Sequence, residues 1–251
     1  MSIPSLRDYD KLIASLAFLW MGFLAESKVW HSTLRIFNMP IDRKTALKSV
    51  GFSVFGKYIP GKIWIILGKA GYVSKNYSYS TKRVAYMAIL TQILSVIVGF
   101  GFGILGLFYL DISSFVQMGL LMIWIIIVIM LVHPKMHSVF ERTLHLILKR
   151  KLQIPLIDFR KLLRLLPLHV FRWILFSLSY YWLIDAFFLE SLPWFVFTVY
   201  PLAGTLGLMA VFSPGGLGIR EAVMVFFFSN IGVELPSAIG LSYASRVWYM
   251  S

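Results

Sequence analysis

Two stretches of this chain set fixed charge beside helix breakers. In the first, Gly56-Lys57-Tyr58-Ile59-Pro60-Gly61-Lys62-Ile63-Trp64, Pro60 and Gly61 interrupt an apolar run between two lysines. In the second, Phe212-Ser213-Pro214-Gly215-Gly216-Leu217-Gly218-Ile219-Arg220-Glu221-Ala222, one proline and three glycines lead into an adjacent cation–anion pair. Proline removes a backbone donor and fixes φ. Glycine admits positive φ and close backbone approach. A helix entering from Trp194 is therefore predicted to break near Pro214, and a new one to start near Ile219. Free N–H groups at such a break, with Lys57, Lys62 and Arg220 beside them, could bind an anion such as phosphate. Glu221 could pair with Arg220 or Arg246, so that no cation is buried alone. The sequence also allows a plainer role, with Arg220 and Glu221 a structural ion pair and Lys57 and Lys62 interfacial anchors; Tyr58 and Trp64 suit an interfacial belt.

The elements that must hold these breaks are membrane helices. Of 251 residues, 59% are hydrophobic and only 14% charged, with mean hydropathy +0.78. A soluble domain is about a quarter charged, and several runs here reach the roughly 20 apolar residues that cross a bilayer. With no cysteine, disulfides and thiolate metal sites are excluded. The formal charge of +13 fits cytoplasmic loops that collect Lys and Arg, not a nucleic-acid partner. No cofactor is indicated. His133 and His137 have i, i+4 spacing, but Pro134 lies between them and His145 does not complete a zinc set, so no metal site is expected. The Asp8-Tyr9-Asp10 spelling is a chance match. The start of the chain does not read as a cleaved signal peptide.

In order, spans are predicted over Leu12–Arg35, Val84–Leu110, Phe115–Val132, Leu168–Leu189 and from Ser237 onward. In the first span Lys28 and His31 can share a face. Glu26 is read chiefly as snorkelling to the interface, with a cavity-facing carboxylate as the alternative. Gly99, Gly101, Gly103 and Gly106 form a small-residue packing face. Residues 134–167 make a basic cytoplasmic loop, part of it an amphipathic helix on anionic headgroups. Arg172 marks the cytoplasmic end of the next span and Asp185 its outer end.

Basic flanks make the Pro60-Gly61 segment a re-entrant hairpin entered from the cytoplasm, a short true span being the competing reading. Cation-free turns make the Pro214–Gly218 segment a hairpin entered from outside. The order span, broken hairpin, span thus recurs over 12–110 and 168–251, the second copy incomplete, within one membrane domain of 1–251. The fold class is an all-α polytopic membrane protein: about five spanning helices plus two re-entrant broken hairpins in an inverted repeat. The repeat comparison predicts one or two further helices beyond Ser251.

Tyr58-Ile59-Pro60-Gly61-Lys62-Ile63-Trp64 with Gly68-Lys69, together with Ser213 to Ala222, resemble the lysylphosphatidylglycerol synthase transmembrane family. The likeness runs from about Leu12 to Ser251. That family includes the membrane half of a lipid flippase, the multiple peptide resistance factor. Its soluble aminoacyl-transfer domain has no counterpart here, so the resemblance implies no synthase activity. It implies translocation of a phospholipid or polyprenyl-phosphate-linked lipid in the cell (plasma) membrane, and more readily a transporter than an enzyme. Lys57, Tyr58, Pro60, Gly61, Lys62, Pro214, Gly215, Gly216, Gly218, Arg220, Glu221 and Arg246 are the candidate headgroup residues. Anionic membrane lipids are the expected partners, and self-association is compatible. The alternatives are a membrane subunit of a lipid-linked glycosyltransferase, with Asp111, Asp185 or Glu190 as its outer carboxylate, and a non-transporting partner of a cell-envelope enzyme.

Overall fold

The computed structural model describes residues 8–56, 63–133, 159–187, 192–210 and 213–250. Nine α-helices occur among them: α1 (Tyr9–Ile36), α2 (Arg43–Phe55), α3 (Ile63–Asn76), α4 (Thr81–Leu107), α5 (Ser114–Val132), α6 (Phe159–Asp185), α7 (Val199–Met209), α8 (Ile219–Asn230) and α9 (Leu235–Met250). No strand occurs among the described residues.

Helix lengths sort these elements. α1, α4 and α6 have 27 or 28 residues and are long and apolar enough to cross a membrane. At 1.5 Å per residue each is about 40 Å long, enough for a tilted span. α5 has 19 residues and α9 has 16, at the places of the other two predicted spans. α2, α3, α7 and α8 have only 11 to 14 residues. Each is about 20 Å or shorter, less than the hydrocarbon thickness.

Local chemistry explains several boundaries. The Asp8 carboxylate accepts from the N–H groups of Asp10 (3.1 Å) and Lys11 (3.3 Å) and caps α1, which gives the Asp-Tyr-Asp spelling a structural use. α1 ends before Asn38, which has φ 59°, and Pro40. The predicted break between Trp194 and Ile219 is present. A 3-10 turn over Trp194–Thr198 feeds α7, a second over Pro214–Gly216 follows it, and α8 starts at Ile219.

α1 and α6 form the main seam and run antiparallel. Near one end Lys11 meets Asp185 at 2.9 Å, and Ser15 and Ser179 exchange hydrogen bonds. The glycines of α4 serve packing as predicted. Gly99 faces Trp173 and Thr205, Gly103 faces Leu202, and Gly106 faces Thr198. Side chains there would hold α4 away from α6 and α7.

Apolar burial falls into two clusters. One gathers Trp30, Leu34, Val50, Val73, Val84 and Leu94 from α1–α4, with Leu165. The other gathers Val98, Trp173, Tyr180, Leu202, Phe227 and Leu241 from α4 and α6–α9, with Leu19. Each short-helix pair thus sits in its own core, and the long helices join the two.

Candidate functional site

A cavity lies between the two clusters. α1 supplies Phe23 and Glu26, α2 Ser53, α3 Lys69, α4 Gln92 and Ser95, and α6 Arg172. The second break supplies Gly207 and Gly215 from its two sides, followed by Arg220 on α8 and Arg246 on α9. The cavity is partly open to the outside. Both short-helix pairs therefore line one chamber, although residues 43–76 and 199–230 are far apart in sequence.

One end of the chamber is built around Glu26. Its carboxylate accepts from Lys69 Nζ at 2.8 Å and from Arg172 Nη1. The side chains are 17%, 7% and 6% exposed, so this is a buried two-cation, one-carboxylate cluster. Arg172 Nη2 also donates to Ser95 Oγ at 2.6 Å, and Lys69 Nζ stands 5.6 Å from the Trp30 ring centre. Three helices distant in sequence meet here: the long α1 and α6 bring Glu26 and Arg172, and the short α3 brings Lys69. The snorkelling expectation for Glu26 is corrected: two inward cations offer it better solvation than a reach to the interface. Arg172 likewise is a buried partner of Glu26, rather than a topology marker at a helix end.

The other end is built around Glu221. Its carboxylate accepts from Arg246 Nε and, at 2.7 Å, from the Gly218 N–H, so the third residue of α8 reaches back to the backbone of its glycine N-cap. The α8 N-terminus is thus partly satisfied by its own third residue. Gly215, Gly216 and Gly218 have φ of 59°, 71° and 83°, the left-handed region glycine tolerates. A Cβ on Gly216 would lie 2.8 Å from Gly207 Cα, so the turn needs glycine for approach as well as for φ.

Arg220 does not pair with Glu221. Its guanidinium stands 5.1 Å from the Tyr200 ring centre and 5.9 Å from that of Tyr249, and Nη2 reaches Ser245 Oγ at 3.4 Å. Among the described residues it has no carboxylate within ion-pair distance.

Of the residues singled out in the sequence, Gly215, Arg220 and Arg246 line the chamber. Pro214, Gly216 and Gly218 form its turn, and Glu221 holds Arg246. Lys57, Tyr58, Pro60, Gly61 and Lys62 lie outside the described residues, as do His137, His145 and Glu190. Trp64, near the start of α3, is exposed. Asp185 is buried against Lys11, and Asp111 is exposed. Among the described residues no group of three or more His, Asp or Glu is placed to hold a metal.

Lys69 and Arg172 were not among the site residues expected from sequence. Both carried a signal. Lys69 closes the first motif, and Arg172 is the one cation between Leu168 and Asp185. The Tyr200–Tyr249 pair around Arg220 had none, because it depends on how α7 and α9 pack.

Comparison with curated proteins returns no match. The model of the lysylphosphatidylglycerol synthase transmembrane region matches residues 3–249, and the chain belongs to that family.

Proposed function

We propose that this integral membrane protein moves an anionic lipid headgroup between leaflets through the chamber. The observation that carries this reading is that two pairs of short helices from separate parts of the chain line one cavity rich in cations. Interrupted helices meeting at a shared site are a recurrent transporter design. In this reading α2–α3 and α7–α8 are re-entrant hairpins entered from opposite sides, and the cell membrane is the site of action. Lys69, Arg172, Arg220 and Arg246 hold the headgroup, with arginine suited to bidentate phosphate contact. Glu26 keeps Lys69 and Arg172 paired and Glu221 keeps Arg246 paired while the chamber is empty, and Arg220 rests between Tyr200 and Tyr249. Rocking of one half against the other along the α1–α6 seam exposes the chamber to alternate leaflets.

The test is headgroup accessibility in vesicles holding the full chain and fluorescent phospholipid or polyprenyl-phosphate probes, with no sugar donor. Folded wild-type protein is expected to scramble at least one probe, and Arg220→Ala to slow it at least tenfold. Absence of scrambling by folded protein for every probe would overturn the proposal in favour of a membrane accessory of an envelope enzyme.

A further inference from the structure

Among the described residues the chamber's charge does not balance. Its described ionisable side chains are four cations, Lys69, Arg172, Arg220 and Arg246, and two carboxylates, Glu26 in the lining and Glu221 behind Arg246. Each carboxylate is already engaged, Glu26 by Lys69 and Arg172, Glu221 by Arg246. Over the described residues the balance is four minus two, or +2, with one excess charge at each end. Three buried guanidinium nitrogens also lack a hydrogen-bond partner: Arg172 Nε, Arg220 Nε and Arg246 Nη2. Arg172 as a residue is only 5% exposed. Uncompensated charge and unmet donors on buried side chains are costly unless a ligand answers both.

We infer that the chamber is matched to a dianionic phosphate: a phosphomonoester or diphosphate headgroup rather than a phosphodiester or a zwitterion. This rests on the headgroup-translocation reading and narrows its substrate class. A phosphomonoester loses its second proton near pH 6 and then carries about two charges on three acceptor oxygens. It would neutralise the +2 and offer acceptors to donors at both ends. A phosphodiester such as phosphatidylglycerol carries one charge and leaves +1 behind. Phosphatidylcholine adds a cation and leaves the full +2. The Tyr200 and Tyr249 rings around Arg220 hold its guanidinium without neutralising it, which keeps that charge for the ligand.

The experiment is equilibrium binding to the purified full chain in neutral detergent at pH 8. The probes are short-chain phosphatidic acid, phosphatidylglycerol, phosphatidylcholine and inorganic phosphate. Phosphatidic acid is expected to bind at least about tenfold tighter than phosphatidylglycerol, the factor for one well-placed charge contact. Arg220→Gln should collapse that ratio. Gln92→Glu, a near-isosteric change elsewhere in the lining, brings the balance to +1 and should collapse it too. Equal or tighter binding of phosphatidylglycerol to the wild type would overturn the dianion inference and leave the headgroup reading standing. So would a ratio unchanged in both folded variants. Inorganic phosphate binding as tightly as phosphatidic acid would uphold the dianion preference and overturn the lipid source. No binding by any anionic probe would overturn both.

Discussion

The two ends of the chamber use the same charges and are assembled differently. At the Glu26 end the three groups come from α1, α3 and α6, with 43 residues between Glu26 and Lys69 and 146 between Glu26 and Arg172. At the Glu221 end the carboxylate, Arg246 and the Gly218 N–H all lie on α8, α9 or the turn before them. The first end is a long-range staple, and the second is a local brace that also caps a helix. The long-range staple ties the α2–α3 pair to the α1–α6 seam. A local brace fixes the shape of one turn. If the halves rock, the staple is what must yield or travel with them, while the brace can persist throughout.

That difference predicts unequal costs. Glu26→Ala removes the one carboxylate between two buried cations, and leaving buried charge unpaired costs about 3–5 kcal/mol. Thermal unfolding in detergent should show the largest loss of any single charge substitution in the chamber. The double variant Glu26→Ala with Lys69→Ala should recover part of it, because one orphan cation goes with its partner. A loss below about 1 kcal/mol would mean that the staple is no stronger than an exposed ion pair.

The long-range staple is also what sequence reading found hardest to see. The helices were legible, because apolar runs and breakers act locally. Predicted spans such as Phe115–Val132 lie within a few residues of the observed α5, and α8 starts at the expected Ile219. The second break was legible for the same reason, since Pro214, Gly215, Gly216 and Gly218 specify their own geometry. Glu26 reads as a snorkelling or cavity-facing carboxylate, Lys69 as the close of the first motif and Arg172 as the marker of a span end, with nothing to join the three. Nothing within one turn of Glu26 reveals that α3 and α6 will each bring it a cation. The Glu221–Arg246 pair was within reach, because both residues sit on neighbouring short elements. What sequence lacks here is the packing that converts isolated charges into a cluster.

The brace should fail more gently. Glu221→Ala loses a charged hydrogen bond to Arg246 and the cap on Gly218, an expected cost of about 2 kcal/mol. Glu221→Gln keeps an acceptor for the Gly218 N–H and should recover about 1 kcal/mol, the worth of a helix cap. Glu26→Gln should recover a smaller share of its loss, because two cations there need charge more than an acceptor. Equal recovery at the two ends would erase the distinction between staple and brace.

The smallest expected effect lies at the base of the α2–α3 pair, away from the chamber. Asp42 caps α2 by accepting from the Thr45 N–H at 2.8 Å and the Thr45 hydroxyl at 2.7 Å. The oxygen that takes the Thr45 hydroxyl, Oδ2, also accepts from the Tyr77 hydroxyl just past α3, and the Asp42 N–H donates to the Tyr77 oxygen at 2.8 Å. These bonds, the one from Tyr77 first, hold the Asp42 carboxyl well below the usual carboxylate range. A lowered folded value means that the ionised clasp contributes its full stability above the unfolded value of about 4. That contribution is lost as pH falls through the folded value. The stability gap between wild type and Asp42→Asn should therefore be constant near neutral pH and shrink progressively below about pH 4. Tyr77→Phe should narrow the gap by removing the leading bond, and leave binding in the chamber unchanged. A gap that stays constant into strong acid would show that Asp42 acts only as a neutral cap. The α2–α3 pair would then be held to the rest of the protein by the Glu26 staple and apolar packing, without an ionic clasp at its base.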